Sequence, residues 1–145
     1  MKTYKLLKQR KNGTLGPLFI EASRVLPLGE PLEAICKPTK GFALRPGFHS
    51  TLRPDAPHLS GKGRVWVECE IPGRHYLRSE QPELFTGRNG MEDVPTDGYY
   101  LWPRPASQGG LWVISHKIIL NRIMEPEEVA EVARQDAPII PDIWQ

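Results

Sequence analysis

The segment "LRPGFHSTLRPDAPHL", residues 44–59, holds the side chains in this sequence best suited to chemistry. His49 can serve as a base or a ligand, and Ser50 and Thr51 carry hydroxyls beside it. On a strand, a His-x-Ser/Thr spacing puts imidazole and hydroxyl on one face, about 7 Å apart. His49, Ser50 and Thr51 are therefore the candidate catalytic residues. The plain alternative is that Ser50 and Thr51 bond local backbone ahead of Pro54.

Phosphoesterases of the two-histidine type need the His-x-Ser/Thr pair twice, once from each half of the molecule. Here the second pair is His58 with Ser60, close in sequence to the first and separated from it by Pro54 and Pro57. Prolines break the strands that such symmetry requires. His116 is followed by Lys117 and Ile118 and lacks the hydroxyl. The two-histidine chemistry is accordingly set aside.

Arg45, Arg53, Lys62 and Arg64 surround His49 and His58 in sequence. Guanidinium forks match phosphate oxygens, so this cluster suits a dinucleotide or a nucleic-acid backbone. The alternative is a set of arginines that solvate a proline-rich loop. Tyr99, Tyr100 and Trp102 form an aromatic run. Strand alternation sends one tyrosine to the core and the other outward, where a tyrosine beside arginine could stack a base. The ligand-binding candidates are Arg45, Arg53, His58, Arg64, Tyr99 and Tyr100. Glu68 and Glu70 share a strand face with Trp66, either as an acid–base pair or as the wet side of a sheet. The histidines and cysteines show no HxxxH or CxxC spacing, so no metal site is expected. Phosphate-loop, dinucleotide-fold and hydrolase-elbow glycine motifs are absent from the sequence.

The elements that must carry these residues are mostly strands. With 145 residues, 39% hydrophobic and 25% charged, the chain suits one domain over 1–145. The net charge of +2 is too small to argue for non-specific nucleic-acid binding by itself. The 15 prolines point to many loops and short elements. "TYKLLKQRKNGTLGPLFI" reads as a hairpin turning at Asn12-Gly13 in a tight primed turn. "LEAICKP" reads as a short strand, and "GFALRPGFHSTL" as a strand interrupted at Pro46-Gly47. "GRVWVECEI" puts Val65, Val67, Cys69 and Ile71 on one face. Residues 72–98 read as a long polar loop, functional or mobile. "YYLW" and "LWVISHKIILNRIM" are strands, the second bent near His116. Pro126, Glu127 and Glu128 open a short helix with Val129, Val132 and Ala133 as its apolar stripe. The expected class is α+β, a mainly antiparallel β-sheet with one or two short helices. The basic start lacks an apolar core and no run is long enough to span a bilayer, so a cytoplasmic protein with reduced cysteines is expected.

Two resemblances add to this reading. The stretches "GTLGPLFI", "LRPGFH", "APHL", "VWVECE", "DGYYLW" and "WVISHKIILNRIMEPEEV" resemble small uncharacterised proteins of bacteriophages and bacterial mobile elements. That likeness implies a setting and no chemistry. "RPGFHSTLRPDAPHL…GRVWVECEI" is also similar in order and length to the ADP-ribosyltransferase fold. It implies NAD as ligand, with His49 on the ribose or as base, Ser50 or Thr51 orienting it, and Arg45 on the pyrophosphate. The first strand, "YKLLKQR", departs from that family's pattern, and near the last strand the nearest candidates for the catalytic glutamate position are Gln108 and Glu125. The expected function is a nucleotide- or phosphate-binding face, of ADP-ribosyltransferase type. The alternative is a non-catalytic protein that binds a host protein or nucleic acid. A carboxylate close to His49 would separate the two.

Overall fold

A computed structural model describes residues 1–19, 22–35, 45–56, 61–85, 90–104 and 108–135. Its strands are β1 (Lys2–Gln9), β2 (Leu15–Gly16), β3 (Pro31–Glu33), β4 (Phe48–Thr51), β5 (Arg64–Glu70), β6 (Arg74–His75), β7 (Gly98–Pro103), β8 (Leu111–Ser115) and β9 (Lys117–Ile123). One helix, α1 (Pro126–Arg134), follows them. All nine strands belong to one sheet, in the order β3-β9-β5-β1-β4-β8-β7-β6, with β2 beside β1. β6 and β7 run parallel, and the other pairs run antiparallel. The structure is thus mainly antiparallel β with a single α-helix. None of its helices among the described residues is long and apolar enough to cross a membrane.

Side-chain alternation gives the sheet an inner and an outer face. β1 and β5 pair from Lys2↔Glu70 to Lys8↔Arg64, which aligns Thr3, Lys5 and Leu7 with Cys69, Val67 and Val65. The inner face then continues across the sheet through Phe48, Ser50, Val113 and Leu101. Only His116 separates β8 from β9, yet these strands lie in different halves of the sheet. The chain turns a corner there and folds one half over the other, as strands do when they pass between packed sheets. Leu7, Leu32, Val67, Cys69, Leu101, Val113, Ile118 and Leu120 from the two halves share one core. Full burial of each aliphatic side chain contributes about 1.5–3 kcal/mol.

The outer face of β7 and β8 is also covered. Leu84, from the short 3-10 turn Pro82–Phe85, packs on Tyr100 and Ile114 as a second cluster. In its described residues the polar segment before β7 thus contributes cover to this face, and Leu84 and Val94 are each 2% exposed. On the outer side of β5 and β9, Arg122 bonds Glu68 at 3.1 Å and Glu128 at 2.7 Å and so ties α1 to the sheet. Lys2 adds a contact to Glu68, and the N-terminal amine one to Glu70. Glu68 and Glu70 are thus structural ion-pair partners on a polar face.

Three local expectations change. The first hairpin closes with Arg10 N donating to the Thr14 carbonyl, so the loop is three residues, not two. Asn12 Oδ1 accepts bonds from Thr14 N and Oγ1, which uses the extra residue, and Gly13 alone supplies the turn's positive-φ glycine at 87°. Pro17 stops β2 at two residues because it has no N–H for the ladder. β3 falls on Pro31–Glu33, earlier than "LEAICKP" suggested, where Leu32 points into the core. Cys36 and residues 41–44 lie outside the described residues.

Gly47 stands just before β4 at φ 115°, where a Cβ would meet Ile114 Cγ2 and the Ser115 carbonyl, each at 3.0 Å. Gly29 has φ 82° and open space around it. Gly47→Ala is expected to destabilise by about 3 kcal/mol and Gly29→Ala by only about 1 kcal/mol in urea unfolding. Equal losses would mean that the close approach of Gly47 to β8 is not a constraint.

Candidate ligand-binding face

β4 sits between β1 and β8, and alternation splits its "HST" between two faces. The pairings Tyr4↔Thr51 and His49↔Ile114 place His49 and Thr51 outward and Ser50 inward. The three side chains therefore do not converge. Thr51 Oγ1 shares its one proton between the carbonyls of Tyr4, at 3.2 Å, and Arg53. Thr51 thus follows the local backbone-bonding alternative. Ser50 is fully buried, and its hydroxyl has no partner among the described residues.

His49 Nδ1 lies 3.2 Å from the Gly47 carbonyl. A carbonyl only accepts, so Nδ1 carries the proton and Nε2 is left as an acceptor. The imidazole meets Trp112 edge-on, with centroids 5.5 Å apart. Burial pushes its pKa down to about 4, and the Lys5 and Arg45 charges push the same way against the Gly47 bond. The charged side chains that bear on His49 are thus cations, and no carboxylate among the described residues appears with them. The imidazole is neutral at pH 7 and is a weak base.

The groups that do come together lie on the outer face of β4, β8 and β7. Trp102 and Trp112 are register partners, both half-buried. The buried Arg45 guanidinium stacks 3.3 Å from the Trp102 ring centroid and donates to the Leu84 carbonyl and the Tyr100 hydroxyl. Arg104 lies 5.4 Å from the Trp112 ring and donates to the carbonyls of Gly109 and Asp55. Burial lowers the pKa of Arg104, with the Asp55 carboxylate opposing and Arg53 reinforcing. Lys5 donates to the His49 carbonyl at 2.7 Å. The hydrogen bonds of Arg45 and Arg104 thus end, among the described residues, on neutral oxygens, while the Lys5 side chain approaches the His49 carbonyl from the inner face.

The remaining sequence candidates separate. Arg53 reaches the Gln135 carbonyl at 3.4 Å and stays near Arg104. Arg64 belongs to β5 in the other half of the sheet, with its guanidinium 5.5 Å from the Phe19 ring. Tyr100 is 0% exposed beneath Arg45, so it offers no stacking surface. Tyr99 is half-buried on the inner side and stacks on His75 at 5.2 Å. His58 lies outside the described residues. Sequence reasoning missed Lys5, Arg104 and Trp112. Their signal was strand parity, which puts Trp112 across from Trp102 and diagonal to His49.

Comparison with protein-family models, curated proteins and solved structures finds no match. These comparisons add nothing to either resemblance.

The low pKa of His49 ties stability to pH. Its ordinary value is 6.5 and its folded value about 4. Between those values the unfolded chain takes up a proton that the folded chain refuses, so stability is full above pH 6.5 and falls as pH drops toward 4. His75, also lowered by burial, acts in the same direction. The His49 contribution approaches about 3 kcal/mol. Urea unfolding at pH 7 and pH 4.5 should show a smaller acid loss in His49→Gln than in the native chain. Identical losses would contradict a neutral buried His49.

Proposed function

We propose that this protein binds a phosphate-bearing aromatic ligand, of nucleotide type, on the outer face of β4, β8 and β7 and does no chemistry on it. The observation that carries this reading is Trp112, half-buried on the outer face across from Trp102, with the Arg104 guanidinium near its ring and the Arg45 guanidinium stacked on Trp102. Indole faces stack bases, and guanidinium groups bonded only to neutral oxygens keep their charge for phosphate. Catalysis by ADP-ribosyl transfer needs His49 beside a hydroxyl and an acid. Ser50 points to the other face, Thr51 is engaged by carbonyls, and the charges that bear on His49 are positive. In the bacteriophage or mobile-element setting that the sequence resembles, the ligand would be a nucleotide or a nucleic-acid segment in the host cytoplasm.

Tryptophan fluorescence during titration with ADP, ADP-ribose and NAD tests the reading. Saturable quenching is expected with each, and Trp112→Leu, checked by circular dichroism for an intact fold, should weaken it about tenfold, the loss of about 1.4 kcal/mol of stacking. Absence of quenching with every nucleotide would overturn the reading. Nicotinamide release from NAD above the spontaneous rate would replace it with the enzyme.

A further inference from the structure

The inner face of the same strands carries a different feature. β1 and β4 are joined through one residue pair, Tyr4↔Thr51. By alternation from that pair, Thr3 and Lys5 of β1 and Ser50 of β4 all face the inner side of the sheet. Thr3 and Ser50 are each 0% exposed, and neither hydroxyl has a hydrogen-bond partner among the described residues. A buried hydroxyl left unpaired costs about 1–3 kcal/mol, and native interiors rarely leave one so. Ser115, directly across from Phe48 on the same face, has a third unpartnered hydroxyl.

Lys5 supplies the charge. An ammonium has three donors, and the Lys5 bond to the His49 carbonyl uses one. No carboxylate pairs with it among the described residues. Lys5 is half-buried, whereas Thr3 and Ser50 are fully buried. The Phe48 ring lies 6.0 Å from Lys5 Nζ and 5.7 Å from the Arg24 guanidinium, whose bond goes to the Glu33 carbonyl. The apolar neighbours on the same inner face are Leu7, Phe48 and Val67 of the main core.

We infer that the β1–β4 seam is a second, inward-facing ligand site that takes a small carboxylic acid with an apolar body. The carboxylate accepts from Lys5, Ser50 and Thr3, and the apolar body lies against Phe48. The site is independent of the outer face, from which the sheet itself separates it. The position of Lys5 also fits its titration: burial lowers its pKa to about 8, and an anion beside it would raise that value again.

Hexanoate titrated into labelled protein tests this, with hexanol as the neutral control. Amide shifts should centre on Thr3, Lys5 and Ser50, saturate, and be absent with hexanol. The Lys5 ammonium, followed by its side-chain resonance, should titrate at least one pH unit higher with hexanoate bound. Lys5→Met should abolish binding, and Ser50→Ala, a smaller change in the core, should weaken it at least threefold. Shifts centred on His49, Trp102 and Trp112, or a Lys5 titration unmoved by hexanoate, would overturn the inner site and leave the nucleotide reading of the outer face standing. Equal binding of hexanol would overturn the role of the charge.

Discussion

One corner, at His116, joins the two halves of the sheet. The chain leaves β8 at Ser115, turns through His116 and enters β9 at Lys117. Because β8 belongs with β4 and β7, and β9 with β5 and β3, this turn brings two groups of strands over one apolar face. Closure at that corner leaves β1 and β4 to meet at the far side with a single pair in register. Where their ladder ends, the Lys5 ammonium takes the His49 carbonyl that a backbone amide would otherwise satisfy. The cation at the seam is thus a consequence of how the sheet folds over.

The same geometry explains what the sequence could and could not tell. "VWVECEI" alternates cleanly, so its strand and buried face are legible, and "LWVISHKIILNRIM" shows its strands and the bend at His116 but not which face is covered, because both are. α1 announces itself through Pro126 and the acids after it. The candidate site was harder to read because parity within four residues of β4 decides it. Contiguous "HST" looks like one constellation, yet a strand sends His49 and Ser50 to opposite faces. Tyr100 looks half-exposed until Arg45 and the 3-10 turn at Leu84 are laid over it, a contact between segments far apart in sequence. Lys5 resembles any lysine of a basic N-terminal strand, and only the pairing with β4 gives it a carbonyl and a place indoors.

Charge is distributed to match. The acids Glu68, Glu70, Glu80, Glu128 and Glu131 are engaged in ion pairs away from β4. Around β4, Lys5, Arg45 and Arg104 bond neutral oxygens instead. A chain with a net charge of only +2 therefore concentrates positive potential at one set of strands. Burial keeps His49 neutral, that potential acts in the same direction, and together they favour an anion over a proton at this face. Recognition of phosphate follows from such an arrangement more readily than acid–base catalysis does.

The most direct measurement is an amide-shift map of the labelled protein with saturating ADP-ribose. The account predicts perturbations at His49, Thr51, Trp102, Arg104 and Trp112, and none along β5 and β9. Perturbations confined to β5, β9 or α1, with the β4–β8–β7 face silent, would contradict it.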